Sequence, residues 1–164
     1  MEQTRTNAQS LGWPLGTQGE LDHQRLAPPY VRLSSFRRGI HGDVIYVFDL
    51  RMTQPNATFM STRQLHSLEH LLLSGFKKYL PDSFVGVAPM GCQTGFYLTT
   101  LNEGGAAAIC KAYADILNDI LNADDVPYAN PHECGHGDHH SINESKEMAQ
   151  KVLEARSEWL SVLA

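Results

Sequence analysis

The chain has 164 residues, 42% of them hydrophobic, and a net charge of −5. That length suits a single domain able to bury about two-thirds of its unfolded surface. The acidic balance, with no basic run, argues against a nucleic-acid groove or an anionic membrane surface as partner, and no stretch has the apolar length of a secretory leader or a membrane span.

Residues 1–17 are polar and Gly-punctuated and are expected to form an N-terminal extension, extended or poorly ordered, ahead of a domain over 18–164. After Pro28-Pro29, the stretch from Tyr30 to Arg38 alternates and is rich in β-formers. Gly39 and Gly42-Asp43 supply a turn, and Val44 to Arg51 reads as a second, more central strand because its apolar run is nearly continuous. Ser61 with Gln64 three residues on predicts a helix start. Leu65, Leu68, Leu72 and Phe76 form the expected buried stripe of that helix, which Pro81 ends. Strands are predicted from Ser83 to Met90 and from Thr94 to Leu101, with Gly91 and Gly95 allowing close backbone approach. A helix follows from Ala106 to Leu121. Ser141 with Glu144 opens a last helix expected to run to about Leu163. This order of elements predicts an α+β single domain: a mostly antiparallel sheet with helices layered on one face.

The chemistry concentrates in His66-Ser67-Leu68-Glu69-His70. On a helix, His66 and His70 share one face and together grip a divalent metal, while Glu69 lies near enough to act on a group bound there. A third ligand must come from elsewhere. Cys134, in a loop beside Gly135, offers a thiolate, and a His₂Cys set leaves a position for water or substrate. The neighbouring His132, His136, His139 and His140 compete for that role. Cys92 lies in the turn Pro89-Met90-Gly91-Cys92-Gln93-Thr94-Gly95, where a thiol is not filling a core and is free to act as base or nucleophile. Cys110, among Ala and Ile on a helix, reads as a core thiol. Three widely spaced cysteines do not suggest a disulfide framework, and the expected setting is the cytoplasm.

Taken together, Leu21-Asp22-His23, Tyr30-Val31-Arg32, Phe48-Asp49-Leu50-Arg51, the His66–Leu72 run, Pro89–Gly95 and Cys134-Gly135 resemble the LuxS family, the S-ribosylhomocysteine lyases. The resemblance covers roughly residues 18 to 163. It implies a homodimeric α+β enzyme with its active site at the subunit interface, cleaving the small molecule S-ribosylhomocysteine to homocysteine and 4,5-dihydroxy-2,3-pentanedione, the autoinducer-2 precursor. Position by position it implies His66, His70 and Cys134 as metal ligands, Cys92 and Glu69 as the acid–base pair, and His23 and Arg51 as substrate contacts. It also implies one divalent metal per subunit, with ferrous iron as the working ion and zinc a common substitute; two imidazoles and a thiolate would by their chemistry take cobalt as well. The chain departs from the family at Gln18-Gly19, where a Ser-Phe pair is common, and at Lys77, where an Arg is common.

Two other readings share these residues. His-x-x-Glu-His is also the signature of inverted zinc peptidases, in which a downstream Glu is the usual third ligand. A metal-storage or metal-sensing module built on the His-rich loop would bind more than one metal per chain and leave Cys92 without a role.

Overall fold

The alternating and helical patterns resolve into two layers in the computed structural model, which describes residues 8–164. β1 (Tyr30–Arg38) and β2 (Val44–Arg51) form the expected hairpin. α1 (Thr62–Tyr79), β3 (Phe84–Pro89), β4 (Gly95–Leu101), α2 (Ala106–Leu121) and α3 (Ile142–Glu154) follow. The four strands pair antiparallel in the order β1-β2-β4-β3, so β2 is central, as its apolar run requires.

Alternation along the strands sorts their side chains by face. Phe48, Leu50, Phe96 and Leu98 share one core with Leu68 and Leu72 of α1 and Ile109 and Leu117 of α2. On the opposite face, Ile45, cross-strand partner of Leu101, and Tyr97, partner of Asp49, are exposed. In α1, Leu68, Leu72 and Phe76 are fully buried as the stripe predicts, Leu71 joins them, and Leu65 is half-buried. A side chain at Gly95 would collide with the Leu50 carbonyl, so its smallness brings β4 against β2; a Cβ at Gly91, expected to be equally confined, would meet nothing within 4 Å among the described residues.

Residues 1–7 of the N-terminal extension lie outside the described residues. The remainder forms a 3-10 turn at Ala8–Leu11 and buries Trp13, whose Nε1 donates to the Gly104 carbonyl at 2.7 Å. The last helix is shorter than expected, ending at Glu154 rather than near Leu163. Beyond it Trp159 turns inward, donating from Nε1 to the Val152 carbonyl, and the tail pairs with the start of the domain through Leu26 and Leu163. After Glu154 a short 3-10 turn at Arg156–Glu158 takes the place of further α-helix, Trp159 joins the main core, and Val162 packs with Leu26 and Tyr30. No helix among the described residues is long and apolar enough to cross a membrane.

Candidate metal centre

The N-termini of α1 and α3 lie side by side, and each helix is capped by its own serine. Ser61 Oγ accepts from the Gln64 N–H, and Ser141 Oγ accepts from the Glu144 N–H. The second half of each expected capping box is spent across the gap instead. Glu144 accepts from Ser61 Oγ, and Gln64 Nε2 donates to the Glu144 carbonyl at 2.8 Å. Ser67, fully buried one turn before His70, completes the junction: its hydroxyl donates to the Arg63 carbonyl and accepts the Ser141 N–H, both at 2.8 Å.

This junction brings the loop cysteine and one loop histidine onto the histidine face of α1. One donor atom each from His66, His70, Cys134 and His140 lies within 4.8 Å of the others. Cys134 Sγ stands 3.4 Å from His66 Nε2 and 3.7 Å from His140 Nε2. The loop is shaped for a sulfur ligand. Asn130 Oδ1 accepts the His132 and Glu133 N–H groups, the Cys134 N–H donates to the Asn130 carbonyl, and the His136 N–H donates to Cys134 Sγ at 3.4 Å. His66 Nδ1 meets the His139 carbonyl at 3.0 Å and His70 Nδ1 the Pro127 carbonyl at 2.7 Å. A carbonyl only accepts, so both rings carry their proton on Nδ1 and turn a bare Nε2 inward, the arrangement metal-binding histidines need. Three imidazoles and a thiol at these separations fit a divalent ion of the zinc, iron or cobalt kind.

His140 was one of four loop candidates by sequence, and only its place directly before the cap Ser141 distinguishes it. Burial, and then the nearby histidines, push its pKa down to about 4. His139 faces Thr62 Oγ1 instead, stacks on His136, and is also shifted down, by desolvation first and then His136. The donors beside the two helix histidines are thus a thiol and an imidazole. Among the described residues no carboxylate joins them, which disfavours the peptidase reading. Glu69, on the same helix, is half-buried and makes no hydrogen bond or ion pair among the described residues.

A second constellation belongs to the helix-free side of the sheet. Asp49, fully buried, receives the Tyr30 hydroxyl at 2.9 Å, Arg32 Nε at 3.1 Å and Arg51 Nη2 at 2.9 Å on one oxygen, and Arg51 Nε at 3.1 Å on the other. Burial opposes the charge on Arg51, but its hydrogen bonds to Asp49 and that carboxylate's charge outweigh burial and keep it protonated well above its usual range. Burial, then the Asp49 charge, likewise raises Tyr30. Two guanidinium groups against one carboxylate leave a net positive charge, and its free edge faces Cys92. Arg51 Nη1 donates to Thr94 Oγ1 at 2.9 Å and lies 4.0 Å from Cys92 Sγ, itself 3.0 Å from Thr94 Oγ1. The Cys92 residue is exposed.

His23, exposed in a 3-10 turn capped by Asp22, meets only the Leu21 carbonyl among the described residues, at 3.0 Å. Among the described residues no hydrogen bond joins Cys92, Arg51 or His23 to the histidine cluster. The structure therefore gathers one set of expected site residues around His66 and another around Cys92, and does not join them within one chain.

Residues 18–162 match the family described as S-ribosylhomocysteinase (LuxS). Among relatives, the S-ribosylhomocysteine lyase of Halobacillus halophilus is 41% identical over 142 residues, covering 87% of this chain and 93% of its own length. A protein of the same name from Staphylococcus aureus is 41% identical, covering 87% of this chain and 90% of its own. A match over nearly the whole folded domain, at this identity, means that the chain belongs to the LuxS family.

Proposed function

We propose that this chain is a metal-dependent S-ribosylhomocysteine lyase, yielding homocysteine and 4,5-dihydroxy-2,3-pentanedione. The observation that carries the reading is the convergence of His66, His70 and Cys134 donor atoms in a chain that matches the family from residue 18 to 162. Those three residues hold one divalent ion per subunit, ferrous iron being the working metal and zinc or cobalt its substitutes. A metal bound there supplies Lewis acidity to the sugar oxygens.

The thioether leaves only when a carbonyl stands two carbons from the sulfur-bearing carbon. The opened ribose has its carbonyl at C1, so it must migrate through C2 to C3 by proton shifts. Cys92, as thiolate, takes the proton from carbon and returns it to the neighbouring carbon. Glu69 moves the hydroxyl protons. Removal of the C4 proton then expels the C5 sulfur as homocysteine thiolate, which is protonated to the thiol. The Asp49-braced Arg51 lies beside the Cys92 thiol and, with His23, contacts the polar end of the substrate.

The active unit is a homodimer in the cytoplasm, with each site made at the subunit interface. Two features support this. The exposed Ile45, Tyr97 and Leu101 give the helix-free face an apolar surface suited to a second copy, and the two site constellations remain apart in one chain. The test is thiol release from S-ribosylhomocysteine by metal-reconstituted protein. Free homocysteine, equal in amount to substrate consumed, is the expected result; peptide hydrolysis without thiol release overturns it.

A further inference from the structure

We propose that residues 8–17, which precede the region matched by the family, position the His23 arm for substrate by way of Arg32, an inference that rests on the lyase reading. The stretch is short, yet it is built into the domain. Trp13 is buried with its ring 5.5 Å from that of Phe48 on β2, and its Nε1 donates to the Gly104 carbonyl just ahead of α2. A buried indole with its one donor satisfied is a firm anchor. The next residue passes the anchor on. The Pro14 carbonyl accepts from Thr17 Oγ1 at 2.9 Å and from Gln18 Nε2 at 3.3 Å, which ties the anchor to the start of the arm.

Arg32 of β1 then takes hold of that start. Its Nη1 donates to the Thr17 carbonyl at 3.0 Å and to the Gly19 carbonyl at 2.7 Å, while its Nε donates to Asp49 Oδ2 at 3.1 Å. Nη1 has two protons, so both are spent on the arm. The guanidinium is planar and rigid and Arg32 is buried, so its two ends cannot move independently. An arm that lifts away strands two buried donors, or draws Arg32 off the carboxylate that braces Arg51. The Gly19 N–H adds a further tie, donating to the Ser34 carbonyl at 2.8 Å.

From Gly19 the chain runs mostly exposed to His23, which stays within about 14 Å of the Gly19 anchor. Beyond His23 the chain is fastened again, where the Ala27 N–H donates to the Val162 carbonyl at 2.9 Å. The arm is thus held at its two ends, and the first of these is joined to Arg51 through Arg32 and Asp49. In the lyase reading His23 binds substrate and moves no proton, so loosening the arm weakens capture and spares the chemical step.

The test measures homocysteine release by the metal-loaded full chain in the wild type, Trp13→Ala, Gly19→Ala and Gly42→Ala, well below each protein's unfolding temperature. Gly19 and Gly42 have positive φ, +75° and +98°, and a Cβ at either meets nothing within 4 Å among the described residues. Alanine therefore strains the backbone alike at the arm and at the β1–β2 turn. Expected are a KM about tenfold higher in Trp13→Ala and Gly19→Ala, kcat within about twofold, metal content unchanged, and Gly42→Ala like the wild type. Should Trp13→Ala not fold, Gly19→Ala against Gly42→Ala decides. An active enzyme whose KM is untouched by Gly19→Ala, or raised as much by Gly42→Ala, overturns the proposal, and the extension then only stabilises the fold. A wild type that releases no homocysteine overturns the lyase reading itself, and this proposal with it.

Discussion

Cys134 Sγ accepts a backbone N–H and faces imidazole nitrogens, whereas Cys92 Sγ faces a guanidinium and a hydroxyl. Substitution should separate the two. Cys134→Ala is expected to lose metal and activity together, since the remaining donors hold a divalent ion less tightly. Cys92→Ala is expected to keep its metal while turnover falls by about 10²–10⁴-fold, the worth of a positioned proton-transfer group. Metal content and kcat measured on the same preparations decide it; a Cys92→Ala protein stripped of metal would defeat the assignment. Alkylation gives an independent reading. Cys92 is exposed, while burial raises the Cys110 pKa to about 11 and leaves it almost wholly the unreactive thiol at pH 8. Peptide mapping after brief iodoacetamide treatment should find the label on Cys92 and not on Cys110.

The helices bring the metal donors together through their first turns. Ser61 and Ser141 cap their own helices, and Ser61, Gln64, Ser67 and Glu144 spend their remaining hydrogen bonds on the other helix or its cap residue. Ser141→Ala should therefore cost about 0.5–2 kcal/mol, read as a lower urea midpoint at unchanged m-value. Its effect on metal affinity should exceed that of any exposed α3 substitution, because the cap residue is tied by its N–H to Ser67, between His66 and His70 on α1. The helix starts were legible because a cap is a local signal, carried by two residues three apart. The α1 histidines were legible for the same reason, being fixed by helical spacing. His140 was not, because what selects it from four loop histidines is a serine 73 residues earlier in the chain. The end of α3 is not legible for a similar reason: Leu160 and Leu163 keep helical spacing, but the helix stops at Glu154 and the tail pairs with Leu26 through Leu163.

At the scale of the whole molecule the sheet separates two half-sites, with the cysteine and its arginine on one side and the imidazoles in the helix layer on the other. If each working centre draws its thiol from one copy and its imidazoles from the next, damage to the two halves need not be additive. Cys92→Ala and His70→Ala chains, each inactive alone, should complement when refolded together. Random pairing of equal amounts makes half the dimers mixed, and each mixed dimer contains one undamaged centre of its two, so about a quarter of wild-type activity should return. A mixture as dead as its components would mean that every chain works with its own cysteine.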